Sequence, residues 1–276
     1  MFEVELRTVR QKLRITLPDA SSHDEIRFID ARPQVEGFDC EISAIAAERS
    51  SGFLELRLPT GYLCEGTAGY LLGELHRYHM EETRREFPGC AMLHGGTVTT
   101  DEGHTVVIGA KGAGKTTFLL HLAAAGWNVP ADEHIIINGA EGVPRPRTLR
   151  VKEGSLPVLS SAISDQIRSC PAIRDWAGLR VYAVPPDLFG GVWTIRSARI
   201  ANVVFLDPNH GGRSDIRRMS LDEAFEIIFR DNVILPEAGK AKAFAELRNL
   251  LLGAKLWRFR NGDLDHAERV FYSIIR

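Results

Sequence analysis

Cysteine is scarce in this sequence, and so are long apolar runs and any excess of one charge. Cys40, Cys64, Cys90 and Cys170 lie far apart with no C-x-x-C pair, which argues for separate reduced thiols and against a disulfide framework or a zinc site. No apolar stretch is long enough to cross a bilayer as a helix. The 34 Lys and Arg nearly balance the 36 Asp and Glu, leaving a formal charge of −2. Neither nucleic acid nor an anionic membrane is therefore expected as a partner, and any basic site must be local. The opening MFEVELRTVRQKL lacks the basic and apolar regions of a signal peptide, so a cytoplasmic location is expected. Internal repeats and low-complexity tracts are missing too, and 276 residues suit one large or two small domains.

What is present starts with short alternating stretches, FEVELRTV, KLRITL, CEISAI and GFLELRL, which read as a small β-rich region. Thr67 to Arg85 then sets Leu71, Leu72, Leu75, Tyr78 and His79 on one helical face, closed by Pro88 and Gly89. A boundary is expected here, with a β-rich N-terminal domain over 1–88 and a second domain over 89–276. From Ala91, AMLHGGTVTT, a DEGH turn and TVVIG predict two strands joined by a tight turn. Further on, a helix is expected over 156–175, strands within 179–206, and two helical patterns, SLDEAFEIIF and EAGKAKAFAELRNLLLGAKLWRF. Ser220 stands three residues before Glu223, the spacing of a capping box.

The segment with the most chemistry is GAKGAGKTT, made of Gly109, Ala110, Lys111, Gly112, Ala113, Gly114, Lys115, Thr116 and Thr117. It fits G-x-x-x-x-G-K-[ST] between an apolar strand pattern and a helical one. In that motif glycines let backbone N–H groups turn toward a phosphate and the helix start adds its positive dipole. The lysine reaches the β/γ-phosphates and the hydroxyl can ligate Mg²⁺. Asp132 and Glu133 follow at the start of a β-branched strand. Near a nucleotide site one carboxylate can hold Mg²⁺ while the other takes a proton from an attacking hydroxyl. Arg145, Arg147, Arg150 and Lys152 form a local basic segment, either a solvated loop or a contact for an anionic or acceptor substrate.

The block from His94 to Glu133, LHGG…GAKGAGKTT…GWNVPADE, resembles the C-terminal catalytic domain of HPr serine kinase/phosphorylase and its HPr-kinase-like bacterial relatives. His94 stands 21 positions before Lys115, and the acids stand 16 and 17 after Thr116, intervals that match the family's without a gap. PRPRTLRVKEGS and DLFGG look like later loops of these kinases, so the resemblance covers about Ala91 to Asp207. Residues 1–88 do not look like the N-terminal domain of HPr kinase itself.

The resemblance implies an α/β fold, a P-loop kinase core with a central mixed β-sheet and flanking helices. It implies ATP and Mg²⁺ as cofactors and a serine-type hydroxyl of a protein or peptide as acceptor. A ribosomal peptide such as a lasso-peptide precursor is one such acceptor, and a homo-oligomer is compatible with the family. Carried over by position, Lys115 stabilises the transferring phosphate, Thr116 and Asp132 hold the metal, Glu133 is the proton acceptor and His94 is the active-site histidine. The family usually has Asp-Asp where this chain has Asp132-Glu133, so Asp132 can share the base role. Asp175 is the substitute for a further metal ligand, and Arg196, Arg213 and Arg217 are candidates for a late active-site arginine. A small-molecule kinase and a non-catalytic nucleotide-binding module are the alternatives.

Overall fold

Period-two alternation near the start of the chain becomes a five-stranded sheet in the computed structural model, which describes residues 2–18, 24–36, 40–50, 52–58, 61–175, 177–209 and 211–275. The chain divides into two compact units: Met1–Glu86 with Pro146–Pro185, and Phe87–Arg145 with Pro186–Arg276. Residues 146–185, which fall within the 89–276 stretch of sequence, thus pack with the first unit.

In the first unit the strands Phe2–Arg7, Gln11–Leu17, Cys40–Ser50, Phe53–Arg57 and Leu63–Gly66 lie side by side in chain order, the second and third parallel. Their inward residues, among them Val4, Ile15, Leu54 and Leu56, pack with Leu71, Leu72, Leu75 and Tyr78 of the helix Ala68–Glu86. Val181 and Ala183 join this core from a three-stranded sheet of Leu149–Lys152, Arg180–Val184 and Ala172–Arg174. The helix expected over 156–175 is confined to Ser161–Arg168, after a 3₁₀ turn at Glu153–Val158 and before the strand Ala172–Arg174. Pro157 and Pro171 bracket it, since proline has no N–H to give to a helix interior.

The second unit is built on nine strands, labelled here in chain order. They are β1 (Ala91–Thr100), β2 (Gly103–Ile108), β3 (Asn128–Ala131), β4 (His134–Asn138), β5 (Glu141–Pro144), β6 (Ala198–Pro208), β7 (Asp215–Arg218), β8 (Val233–Ile234) and β9 (Lys255–Asn261). The helices are α1 (Lys115–Ala124), α2 (Leu221–Asp231), α3 (Lys240–Gly253) and α4 (Leu264–Tyr272). The sheet runs β5-β4-β1-β2-β6-β9-β7, with β3 and β8 also paired to β1. It is mixed: β2, β6 and β9 are mutually parallel and the remaining neighbours antiparallel. The whole chain is accordingly a mixed α/β protein.

Every residue of β2 is buried, as the near-continuous apolar run of a strand covered on both faces requires. Asn202 interrupts the apolar run of β6 without penalty, because its amide donates to Thr105 Oγ1 (3.2 Å) and accepts from Trp257 Nε1 (3.0 Å). Phe118 of α1, Phe259 of β9 and Phe271 of α4 meet with ring centroids 5.3–6.4 Å apart and pin both helices to one face of the sheet. Ser220 and Glu223 form the expected reciprocal capping box on α2. The long helical pattern after Glu237 ends at Gly253. Lys255–Asn261 is instead the strand beside β6, because an unfilled parallel edge outweighs a local helical rhythm.

Candidate active site

The GAKGAGKTT segment leaves the carboxyl end of β2 and turns directly into α1, at the edge where parallel strands of α/β proteins hold ligands. Glycine is required at several positions of the loop, among them Gly112 at φ 84°. At Gly109 a Cβ would sit 2.7 Å from the Leu206 carbonyl oxygen of β6, and Gly114 caps α1 in the left-handed region at φ 88°. A glycine cap offers no side-chain acceptor, so the first N–H groups of α1 are left for another partner.

Lys115 curls back over the loop. Its Nζ donates to the carbonyls of Gly109 (2.7 Å) and Ala110 (3.2 Å), and the residue is only 8% exposed. Burial pushes its ammonium below the usual lysine value, and the Asp132 carboxylate works against that shift. Thr116 Oγ1 donates to Asp132 Oδ2 at 3.2 Å. Lysine, threonine and aspartate, read separately from the sequence, are thus brought together around one loop.

Asp132 follows β3, and Glu133 leads into β4. The fit of this acid turn depends on the two glycines after His94. A Cβ on Gly96 would fall 1.9 Å from Leu119 Cδ1 of α1 and 3.2 Å from the Asp132 Cα, and one on Gly95 would fall 2.7 Å from the Val107 carbonyl. Gly95 also donates its N–H to the Glu133 carbonyl at 2.9 Å. The His-Gly-Gly signature is therefore a close approach of β1 to β2, α1 and the acids.

Glu133 turns to a second group of side chains. Its Oε2 lies 3.5 Å from Arg145 Nη1 and 3.7 Å from His134 Nδ1, and Arg145 Nη1 donates to His134 Nδ1 at 3.1 Å. His94 and His134 are register partners across β1 and β4, and their rings meet edge to face at 5.5 Å. Arg145 is 97% buried, its residual exposure being 3%, so the basic segment is not one solvated loop. Arg150 belongs to the first unit, where it donates to the Phe28 carbonyl at 2.6 Å and stacks on the Phe28 ring.

Asp175 lies in the first unit, where its Oδ1 accepts the N–H groups of Ala177 and Leu179, both at 2.9 Å, in a tight turn. Arg196 donates to the Thr100 carbonyl and Arg217 pairs with Glu223 at 2.9 Å, while Arg213 is exposed. Among the described residues no three His, Cys, Asp or Glu side chains gather as a metal cage. Sequence reasoning passed over Asp207 at the end of β6, one residue beyond the carbonyl that abuts Gly109, where Arg258 Nε holds it at 2.5 Å. Its signal is the run Val203-Val204-Phe205-Leu206 followed by an acid.

No family model matches the chain, and no curated protein does. Among solved structures it is similar to the HPr(Ser) kinase/phosphatase from Coxiella burnetii, at 16% identity over 58% of this chain and 93% of that chain, with a TM-score of 0.27. The relation is a distant structural one. Among the described residues no helix is long and apolar enough to cross a membrane.

Proposed function

We propose that the chain is an ATP-dependent kinase that transfers the γ-phosphate to a serine-type hydroxyl of a protein or peptide, for example a ribosomal peptide such as a lasso-peptide precursor. The observation that carries the reading is the Thr116–Asp132 contact at 3.2 Å beside a lysine folded into the same loop. A hydroxyl and a carboxylate side by side are the two hard oxygen donors a protein supplies to Mg²⁺, which takes its other ligands from water and phosphate, so a three-residue cage is not required. When bound, the ion would neutralise charge on the phosphate chain.

The chain's own groups divide the remaining work. Backbone N–H groups of Gly109–Thr117 and the start of α1 cradle the phosphates, and Lys115 exchanges its two carbonyl partners for phosphate oxygens. Asp132, at 6% exposure, is assigned to the metal side. Glu133, whose side chain is 29% exposed, is assigned as proton acceptor. The acceptor oxygen attacks the γ-phosphorus, the bond to the bridging oxygen of ADP breaks, and the hydroxyl proton passes to Glu133. Arg145, lying between Glu133 and His134, fixes the direction of that carboxylate, and His94 packs against His134.

Incubation with γ-labelled ATP, Mg²⁺ and candidate acceptor peptides, followed by mass spectrometry, tests the reading. A gain of one phosphate that vanishes in Lys115→Ala is expected. ATP binding without transfer to any peptide or metabolite would favour a binding module, and transfer only to a metabolite would favour a small-molecule kinase.

A further inference from the structure

Asn261 ends β9, the outer member of the parallel trio whose carboxyl edge carries the GAKGAGKTT loop. It is 8% exposed, and its carbonyl accepts from the Asn209 N–H at 2.8 Å. Oδ1 is buried with no hydrogen-bond partner among the described residues, and Nδ2 lies 3.7 Å from where a Cβ on Gly114 would stand. Asn202 in the neighbouring strand shows how this sheet treats a buried amide that serves structure alone, with both of its ends bonded. In Asn261, Oδ1 calls for a donor, whereas Nδ2, the end of the amide that lies beside the loop, is the group that an anionic oxygen from outside the folded chain can take.

We propose that Asn261 is a phosphate-binding residue, its side-chain amide donating from the Gly114 side to an oxygen of the phosphate chain held by the loop. The inference rests on the nucleotide site proposed above and adds a contact that the loop motif does not contain. The side chain gives up no internal hydrogen bond to make the contact. Nδ2 stands beside Gly114, the residue that caps α1 at the end of the cradle.

Titration calorimetry with ATP and ADP in Mg²⁺, on wild type, Asn261→Ala and Asn261→Asp, tests it together with the melting temperature of each ligand-free protein. The donor's removal in Asn261→Ala is expected to weaken ATP about tenfold, and the anion in Asn261→Asp by on the order of a hundredfold, since hydrogen bonds to charged phosphate are the strong ones. Ligand-free Asn261→Ala should melt no lower than wild type. Wild-type affinity in both variants would overturn the assignment while leaving the nucleotide site intact, and so would a lower melting temperature at unchanged affinity. If wild type itself binds no ATP, the nucleotide site fails first and this contact falls with it.

Discussion

Replacing Gly96 by alanine adds one methyl group at the tightest glycine contact beside the proposed site. The new carbon would stand 1.9 Å from Leu119 Cδ1 and 3.2 Å from both the Ala131 carbonyl oxygen and the Asp132 Cα. Ordinary carbon contacts begin near 3.5 Å, so the Leu119 methyl must give way by more than an ångström and the acid turn by a few tenths. Leu119 is fully buried and cannot swing into solvent. Overpacking of this kind costs about 1–3 kcal/mol, which for a unit of this size lowers the melting temperature by roughly 5 °C. The proper control is Gly253→Ala near the end of α3, where nothing lies within 4 Å and the backbone is not left-handed. There the same chemical change should stabilise by about 0.5 kcal/mol through helix propensity and a less flexible unfolded chain. Urea unfolding of both variants, with ATP affinity in parallel, gives the answer. A Gly96→Ala protein as stable as wild type, with unchanged affinity, would refute the reading of His-Gly-Gly as a close approach.

Glu133→Gln should keep ATP affinity and lose transfer by at least a hundredfold, as for a general base; if Asp132→Asn alone does this in single-turnover assays, the base is one residue earlier. Thr116→Val should weaken Mg²⁺-dependent ATP binding about tenfold without changing binding in excess EDTA, and equal losses in both would deny the hydroxyl a metal role. His104 supplies an acid-sensitive element: burial drives its pKa from 6.5 down to about 4, and Nε2 donates to the Arg196 carbonyl while Nδ1 accepts from Thr99. Below pH 6.5 the unfolded chain takes up a proton that the folded chain refuses, so stability should fall by about 3 kcal/mol between pH 6.5 and 4. His104→Gln should flatten that limb of the urea stability curve, and an unchanged slope would contradict the assignment. Lys115→Met should unfold at least as late as wild type without ligand, since burial disfavours the charged ammonium. The same sign makes the wild-type penalty greatest below the folded pKa and relieves it as pH rises toward the ordinary lysine value, which urea titrations at alkaline pH can follow.

Local signals in the sequence suffice where local physics decides the outcome. The Ser220–Glu223 box, the strand pair around the DEGH turn and the loop into α1 are each set by neighbours within a few residues. What was not legible depends on partners distant in sequence. Lys255–Asn261 reads as the tail of a helix until β6 stands beside it, and residues 146–185 carry no mark of their return to the first unit. Arg145 looks like surface charge in a proline-punctuated loop, yet it is buried against Glu133 and His134. Asp207 and Asn261 are unremarkable in one dimension and matter because parallel pairing delivers both to the edge where the loop turns.

The most direct test of the central claim is a crystal structure with a non-hydrolysable ATP analogue and Mg²⁺. The account predicts the triphosphate along Gly109–Thr117, Lys115 withdrawn from the Gly109 and Ala110 carbonyls onto phosphate, and the metal between Thr116 and Asp132 with Glu133 facing the γ-phosphorus. A nucleotide bound elsewhere, or Lys115 still closed over an empty loop at saturating ligand, would contradict it.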